Sequence, residues 1–504
     1  MGDQTTGAEE RDAYASDTFP PYGEEVRRHM REPYGVGRLP AADGVGAAGS
    51  AACGDLVRVE VRLRGGVLAA ARFQAYGCPA TIAGASALVR RVEGRPLLEA
   101  AAVSEQSIAD TLQLAPRKRR CSNLAVDALH AALEDAVARG VPLHPPGAGA
   151  RLDPRMVLVG MSGGVDSSTA ALELKRAGLG VVGVTFRLWS DPACASGRGC
   201  CSPETILAAR RTAHALGLPH LTVDLSQPFR ETVVETFVSE YACGRTPNPC
   251  VRCNAGLRFG ALAALADRLG ARWIATGHYA RVSGDPPRLC RGADPAKDQS
   301  YVLAQVPPAL LERARFPLGE LTKAQTRARA RAAGLAAHDS PESQEICFIP
   351  DNDYRRFLQE RLGERPGAIV DQEGHVLGRH RGTYNFTVGQ RRGLGVPAPA
   401  PLYVREILAA EDIVVVGPVD TLRVRTVVAE DVVIHRWPVP TRGTVQLRSS
   451  GRVFPAAVQF DPARSRAVFA LQEEAPGVAP GQAAVFYQGD AVILAGTIVE
   501  TAAR

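Results

Sequence analysis

The chain has 504 residues, too many for one hydrophobic core, and we expect about three or four domains. Hydrophobic residues make up 45% and charged residues 22%, and the net charge of +6 is too mild to indicate a nucleic-acid partner by itself. No apolar stretch approaches the ~20 residues of a membrane-spanning helix, and residues 1–10 lack the apolar core of a secretory signal. We therefore expect a cytoplasmic protein that does not contact a membrane.

The domain plan follows from changes in periodicity along the chain. A first unit combines strands with helices, and a later region alternates strands (156–160, 181–187, 220–225, 273–276) with helices, which predicts a doubly wound parallel sheet. Short apolar runs separated by Gly, Pro and Asp then predict two small β modules, the last one barrel-like. The predicted segments are a disordered leader at 1–22, an α+β unit at 23–140, a linker at 141–154, the α/β domain at 155–364 and β modules at 365–428 and 429–504.

The first unit carries three cysteine motifs: Cys53-Gly54-Asp55, Gly77-Cys78-Pro79-Ala80 and Cys121-Ser122-Asn123. The chain has eleven cysteines and no signal, which indicates thiolate chemistry and not a disulfide scaffold. The spacing of the three motifs fits a shared metal or iron–sulfur site as well as it fits three unrelated buried thiols.

Together with Pro33-Tyr34-Gly35-Val36-Gly37, these motifs resemble the IscU/NifU-type iron–sulfur scaffold domain over about residues 22–140. The resemblance implies that Cys53, Cys78 and Cys121 hold a nascent cluster and that Asp55 tunes its release. Two positions depart from the family. Arg120 stands where the family usually has His, and Leu114-Ala115-Pro116-Arg117-Lys118 replaces its Leu-Pro-Pro-Val-Lys chaperone-docking segment. These departures imply either independence from a partner chaperone or a lower affinity for the cluster.

The parallel-sheet domain opens with a phosphate-binding signature. The loop 160–168 follows the apolar run 156–159 and precedes a predicted helix, so its N–H groups and the helix dipole favour an anion. It lacks the Gly-Lys-Ser/Thr ending of a Walker A motif. It resembles the SGGxDS pyrophosphate loop of ATP pyrophosphatases, which attack the α-phosphate of ATP. That resemblance implies Mg²⁺ near Asp166, with Ser162, Ser167 and the glycine amides on the phosphates.

Two further cysteine motifs lie in the same domain. Cys250 and Cys253 form a Cys-X-X-Cys on the proline-stiffened loop 246–254, and Cys347 stands in an apolar run at 346–349. A thiol in such a loop has a depressed pKa and stays accessible, as a sulfur nucleophile or cluster ligand requires. No second Cys or His pair follows at the short spacing that structural zinc needs.

With the segments 276–281, 297–301, 385–391 and 480–482, these motifs closely resemble the tRNA-specific 2-thiouridylase family over about residues 154–498. The resemblance implies that ATP adenylates the C2 oxygen of the wobble uridine of tRNA, that sulfur replaces this oxygen, and that AMP and pyrophosphate leave. It implies tRNA as a partner and either a cysteine desulfurase or sulfide as the sulfur donor.

The resemblance also assigns residues. Cys253 would be the nucleophile and Cys347 the persulfide-bearing partner. It assigns ATP to Gly160, Met161, Ser162, Gly163, Gly164, Val165, Asp166, Ser167, Phe186 and Gly277. It assigns tRNA to Asn248, Pro249, Cys250, His278, Lys297, Asp298, Gln299, Arg448 and Gln482.

Cys250 is the most informative departure, since many members have Asp at this position. Cys250, Cys253 and Cys347 together resemble the three-cysteine ligation of a [4Fe–4S] cluster whose open iron binds hydrosulfide. We therefore expect ATP, Mg²⁺ and an iron–sulfur cluster as cofactors. Two alternatives remain: a persulfide relay from Cys347 to Cys253, and an iron–sulfur assembly or carrier protein that does not thiolate tRNA.

Overall fold

The computed structural model describes residues 22–143, 152–189, 202–339, 346–349 and 351–503. The predicted leader, apart from its last residue, and the middle of the predicted linker lie outside these ranges. The chain divides into two compact units, Met1–Gly149 and Ala150–Arg504. Within the described ranges, no helix has the length and apolar character needed to span a bilayer.

The first unit is an antiparallel three-stranded sheet covered by helices, as the predicted α+β class requires. Its strands are β1 (Gly44–Gly49), β2 (Leu56–Arg64) and β3 (Val67–Tyr76). Its helices are Glu24–Arg31, Pro79–Val92, Leu97–Ala101, Glu105–Thr111 and Arg119–Ala138, with a 3₁₀ turn at Pro116–Lys118.

Strand β1 was not predicted, because its sequence of Gly and Ala with one Val carries no strand signal. Its glycines let the sheet approach the longest helix of the unit. A Cβ at Gly44 would lie 2.0 Å from the Ala132 carbonyl oxygen, and one at Gly46 would lie 2.2 Å from that of Ala128. Backbone packing therefore explains a strand that periodicity could not show.

The second unit begins with a five-stranded parallel sheet in the order β10-β7-β4-β5-β6, which confirms the doubly wound prediction. The chain starts at the central strand β4, builds outward through β5 and β6, and then crosses to the other side of β4. The carboxyl ends of β4 and β7 thus form the topological switch point at which such sheets bind ligands. The strands of this region are β4 (Asp153–Gly160), β5 (Gly180–Arg187), β6 (His220–Asp224), β7 (Ala271–Thr276), β8 (Ala280–Ser283), β9 (Arg288–Arg291) and β10 (Ala314–Arg315).

Helices accompany this sheet, and three of them, Val165–Arg176, Pro203–Ala215 and Lys323–Ala332, form one core with its central strands. Val157, Val159 and Ala275 are fully buried there. The α-helices are Val165–Arg176, Pro203–Ala215, Ser226–Phe229, Glu235–Ala242, Pro249–Cys253, Phe259–Leu269, Ser300–Leu303, Pro308–Leu311, Lys323–Ala332 and Tyr354–Leu362. Two π-helical turns, Arg230–Val234 and Asn254–Arg258, and a 3₁₀ turn, Ala336–Asp339, complete the set.

Two β modules follow, as predicted. The smaller is a four-stranded sheet in the order β12-β11-β14-β13, and the larger closes into a six-stranded barrel through pairing of its first and last strands. The strands are β11 (Gly367–Val370), β12 (Val376–His380), β13 (Tyr403–Leu408), β14 (Ile413–Gly417), β15 (Arg423–Ile434), β16 (Arg442–Gln446), β17 (Val453–Asp461), β18 (Arg466–Pro476), β19 (Ala483–Gln488) and β20 (Ala491–Ala502).

The structure differs from the predicted segments in two places. The predicted division at 428/429 falls inside β15, so the barrel strand begins earlier than expected. The hairpin β8–β9 follows 273–276, the last strand predicted for the α/β domain, and was not predicted; it pairs with β20 of the barrel through Cys290 and Ala491. A pairing with a strand 200 residues later leaves no local sequence signal.

Candidate functional site

A cavity of about 400 Å³ lies at the carboxyl ends of β4, β5 and β7. It is lined by the predicted pyrophosphate loop, by Phe186 and Gly277, and by all three predicted catalytic cysteines. The structure thus brings together residues predicted from motifs that are almost 190 residues apart in the sequence. The lining side chains used below are Asp166, Ser167, Cys250, Cys253, Arg258, His278, Gln299, Lys323 and Cys347.

A hydrogen bond within the pyrophosphate loop and the close packing of Gly277 against the loop define its conformation. The Ser162 amide donates a hydrogen bond to Ser167 Oγ at 3.1 Å, and the helix Val165–Arg176 follows directly. A Cβ at Gly277 would lie 2.7 Å from the Ser167 nitrogen, so a side chain there would displace the loop. Gly163 has φ = +76°, a conformation that favours glycine. The residues present therefore fit a nucleotide phosphate at a helix N-terminus.

Asp166 has two partners that the sequence analysis missed. Lys323 Nζ lies 2.7 Å from both Asp166 carboxylate oxygens, and the Tyr279 hydroxyl donates to Oδ1 at 2.8 Å. The Lys323 side chain is only 15% exposed, so solvent screens this ion pair less than a surface pair. Lys323 stands 157 residues from Asp166 in the sequence, and its only signal was that the chain has just four lysines.

The strand that carries Phe186 also supports the loop from behind. Thr185 donates from its hydroxyl to the Met161 carbonyl at 2.9 Å, and His220 Nε2 lies 2.8 Å from the same hydroxyl oxygen. The hydroxyl hydrogen is used on Met161, so the assigned tautomer of His220 has its proton on Nε2. Burial holds the pKa of His220 well below its usual value, so the His220 imidazole that contacts Thr185 is neutral.

The cysteine pair lies on a capped helix at the cavity wall. Asn248 Oδ1 accepts hydrogen bonds from the Cys250 and Val251 amides, at 3.1 and 3.2 Å, and so caps the helix Pro249–Cys253. Cys253 is buried and Cys250 is half-buried. The cap fixes the first turn, and therefore the placement of both thiols.

Cys347 is placed by its neighbour in the chain. Phe348 is 1% exposed and packs edge-on against Phe237 and Phe357, each with ring centroids 5.4 Å away. Phe229 and Trp189 complete this aromatic cluster. The cluster anchors Phe348 and thereby holds Cys347 at the cavity wall.

The predicted tRNA residues differ in their placement. His278 lines the cavity with Nδ1 2.7 Å from Thr276 Oγ1, and burial with Arg258 nearby lowers the pKa of His278 to about 3. Gln299 also lines the cavity, and its Oε1 accepts the Tyr279 amide at 2.9 Å. His278 is therefore neutral at physiological pH and offers hydrogen bonds, not charge, to the cavity.

The other predicted tRNA side chains with printed contacts make bonds inside the unit. Asp298 forms an ion pair with Arg291 at 2.9 Å and accepts the Ser300 amide and hydroxyl. Arg448 donates to the carbonyls of Gly477 and Val388, and Gln482 donates to the carbonyl of Thr246. Lys297 precedes Asp298 in the sequence. It is half-buried, and its amide donates to the Asp294 carbonyl. A contact of these residues with tRNA stays a prediction.

The first unit has its own thiol site. One ligand atom each from Asp55, Cys78 and Cys121 lie within 4.8 Å of one another, and the two sulfurs are 3.5 Å apart. The Asp55 carboxylate accepts the Thr81 hydroxyl at 2.6 Å and the Cys78 amide at 3.3 Å. Cys53 is exposed and lines the adjoining cavity of about 850 Å³ with Asp55 and Cys121. This arrangement suits a cation or a cluster, with Cys53 at the rim.

The two paired thiols of this site differ in acidity. Burial alone would raise the pKa of Cys78, but hydrogen bonds with Thr81, Cys121 and the Ala80 amide lower it below its usual value. Cys78 also caps the helix Pro79–Val92, whose dipole favours a thiolate. Burial and the neighbouring Cys78 raise the pKa of Cys121. Cys78 is therefore the thiol of this pair that ionises first.

Four family models match successive parts of the chain. They are the NifU-like N terminal domain at residues 21–141, the tRNA methyl transferase HUP domain at 155–351, the tRNA methyl transferase PRC-barrel domain at 355–418 and the aminomethyltransferase beta-barrel domain at 425–498.

Full-length relatives agree with these matches. The bifunctional protein NifU/MnmA of Rubrobacter xylanophilus is 48% identical over 95% of this chain and 98% of its own length. The tRNA-specific 2-thiouridylases MnmA of Beutenbergia cavernae and Acidothermus cellulolyticus are 46% and 48% identical over 68% of this chain, and over 95% and 98% of their own lengths. The chain therefore belongs to the MnmA family of tRNA-specific 2-thiouridylases, with a NifU-like iron–sulfur scaffold domain fused at its N-terminus.

Proposed function

We propose that this chain replaces the C2 oxygen of the wobble uridine of tRNA with sulfur, using ATP. The observation that carries the proposal is the single cavity in which the pyrophosphate loop and the thiols of Cys250, Cys253 and Cys347 meet. A uracil oxygen is a poor leaving group, so a site that both activates it and supplies sulfur needs these two sets of groups in one place.

In the first step the C2 oxygen attacks the α-phosphorus of ATP, and the bond from that phosphorus to the bridging oxygen breaks. Pyrophosphate leaves with the bonding electrons. The loop amides between Gly160 and Ser167 and the Lys323 ammonium are the positive groups placed to stabilise the charge that develops. Phe186 offers an apolar wall for the adenine. Asp166 is the carboxylate that would take a Mg²⁺ ion of the nucleotide, in competition with Lys323.

In the second step a sulfur nucleophile attacks C2, the C–O bond breaks, and AMP carries away the former C2 oxygen. The target base must leave the anticodon stack to reach the cavity, and Asn248 and Pro249 precede the thiols at its wall. The neutral imidazole of His278 is placed to accept or donate a hydrogen bond there.

The third thiol, that of Cys250, bears on the chemical form in which sulfur reaches C2. We infer that Cys250, Cys253 and Cys347 hold a [4Fe–4S] cluster, which would supply an open iron position for hydrosulfide. The three sulfurs line one cavity, yet unlike Asp55, Cys78 and Cys121 they do not converge within 4.8 Å. Thiols that do not converge in this way argue against one mononuclear metal held by all three. In the alternative relay a Cys347 persulfide gives its outer sulfur to C2, and Cys253 closes a disulfide that an external thiol must reduce.

Iron analysis separates these two accounts. In full-length chain with Cys53, Cys78 and Cys121 changed to Ser, anaerobic reconstitution should leave about four irons per chain, all at the second unit. A further Cys250→Asp change should remove the iron and the activity together. Full activity of an iron-free Cys250→Asp chain would contradict the cluster and favour the relay.

The NifU-like domain supports a supply role. We propose that Asp55, Cys78 and Cys121, with Cys53 at the rim, assemble the cluster as cargo from iron and sulfide, the sulfide being supplied free or by a cysteine desulfurase together with a reductant. A second candidate function, an iron–sulfur carrier that does not act on tRNA, rests on this site alone. Pyrophosphate release that requires tRNA supports the enzyme. ATP turnover that accompanies cluster transfer in the absence of tRNA would support the carrier.

A further inference from the structure

The segment Pro480–Gln482 of the barrel contacts the start of the cysteine loop. Gln482 Nε2 donates to the Thr246 carbonyl at 2.7 Å, and the Thr246 amide donates to the Pro480 carbonyl at 2.8 Å. Gly481 lies against the same residue, because a Cβ on it would come within 3.1 Å of the Thr246 backbone atoms. Thr246 thus has both backbone polar groups bonded to the barrel.

The segment that holds Thr246 is itself fixed. The Gly481 amide bonds to the Ile498 carbonyl and the Ile498 amide to the Gln482 carbonyl, both at 2.8 Å. Ala483, the first residue of β19, is bonded through its amide and carbonyl to the buried Tyr301 hydroxyl. The small β module adds a contact between the hydroxyls of Thr387 and Thr246 at 3.3 Å.

A stiff stretch of chain connects Thr246 to the thiols. Pro247 and Pro249 restrict the backbone, and the Asn248 side chain between them caps the turn that carries Cys250. A shift at Thr246 is therefore passed on to Cys250 and Cys253 with little loss. Only three residues separate Thr246 from the first thiol.

We propose that Gln482 is a positioning residue for sulfur transfer: from the barrel it fixes Thr246, and through Thr246 the placement of the Cys250 and Cys253 thiols in the free protein. The proposal rests on the proposed function for its kinetic consequence, but its structural part stands without it. This positioning role is separate from the tRNA contact, which is all that the resemblance implied for Gln482.

Hydrogen exchange on the full chain without tRNA tests the structural part. Gln482→Met keeps the length of the side chain and removes the donor, so the amides of residues 246–253 other than Pro247 and Pro249, which have none, should exchange about 3–10-fold faster. Gln305→Met is the matched control. It also removes a glutamine-to-barrel bond, from Nε2 to Thr497 Oγ1 at 3.3 Å, and should leave exchange at 246–253 unchanged. Gly481→Ala pushes on Thr246 and also strains the backbone of its own segment, since Gly481 has φ = +92°, and it should act like Gln482→Met.

Thiolation kinetics test the consequence. Gln482→Met should lower kcat about 10-fold at saturating tRNA and change KM for tRNA less than about 2-fold. Unchanged exchange at 246–253 in both variants, or a raised KM with native kcat, would overturn the proposal and leave Gln482 as a tRNA contact alone. Loss of folding in both variants but not in Gln305→Met would overturn it too, because positioning would then be indistinguishable from fold maintenance. If the native chain forms no 2-thiouridine, the proposed function is wrong. The exchange experiment still tests the structural part of the proposal in that case.

Discussion

Replacing Lys323 with methionine is expected to lower tRNA-dependent pyrophosphate release by about 10²–10³-fold, the usual loss when one preorganised positive donor is removed from a transition state. The Lys323 ammonium lies 2.7 Å from both oxygens of Asp166, inside the loop predicted to hold the phosphates. Lys323→Met keeps the length of the stem and removes the charge. It also leaves the partly buried Asp166 without its cation, so the melting temperature should fall slightly.

The matched control is Lys175→Met, which removes a lysine on the helix that follows the loop. Lys175 Nζ donates to the Leu216 carbonyl and does not line the cavity, so pyrophosphate release should stay within about 2-fold of the native chain. Release by Lys323→Met at the rate of Lys175→Met would show that the Lys323 charge does not act on the reaction. Lys323 would then only neutralise Asp166.

Replacing Cys253 with serine is expected to abolish 2-thiouridine formation while tRNA-dependent pyrophosphate release stays within about 3-fold of the native rate. Cys253 is buried at the cavity wall beside the loop, where either account of sulfur transfer uses its thiolate. A serine hydroxyl is neither a sulfur acceptor nor a cluster ligand of comparable strength. Adenylation uses other groups and should continue, so the modified base stops at the adenylated stage.

Cys243→Ser is the control for this change. Cys243 is exposed at the end of the helix Glu235–Ala242 and does not line the cavity, so both products should form at native rates. Mass spectrometry of digested tRNA measures 2-thiouridine, and a coupled assay measures pyrophosphate. Native 2-thiouridine yield in Cys253→Ser would remove Cys253 from the sulfur path, and loss of pyrophosphate release would assign it a part in adenylation instead.

The sequence predicted the parts of the site that local patterns encode. The pyrophosphate loop follows an apolar strand and precedes a helix, and the Cys-X-X-Cys directly follows two prolines, so both motifs could be recognised without a fold. The parallel sheet followed from strand–helix alternation, and the barrel from short runs with turn residues. The structure confirms this fold class. It also brings the loop and the cysteine motif to one cavity, while the roles of their residues stay predictions.

Long-range partners could not be predicted in this way. Tyr279 and Lys323 contact Asp166 from positions 113 and 157 residues later, and no pattern of spacing connects them. Gln482 and Asp298 were assigned to tRNA by family motif, yet their described side chains are bonded to Thr246 and to Arg291 and Ser300. A motif can single out a residue as a candidate, but the contacts of its side chain are seen only in the folded structure.

The most direct test measures pyrophosphate and 2-thiouridine together, in one reaction of the full chain with ATP, Mg²⁺, sulfide and an unmodified tRNA. If the pyrophosphate loop and the three cysteines act on one base in one cavity, both products should appear only with tRNA and in a ratio near one to one at early times. Pyrophosphate that forms equally without tRNA, or 2-thiouridine that forms without ATP, would contradict a single site for activation and sulfur transfer.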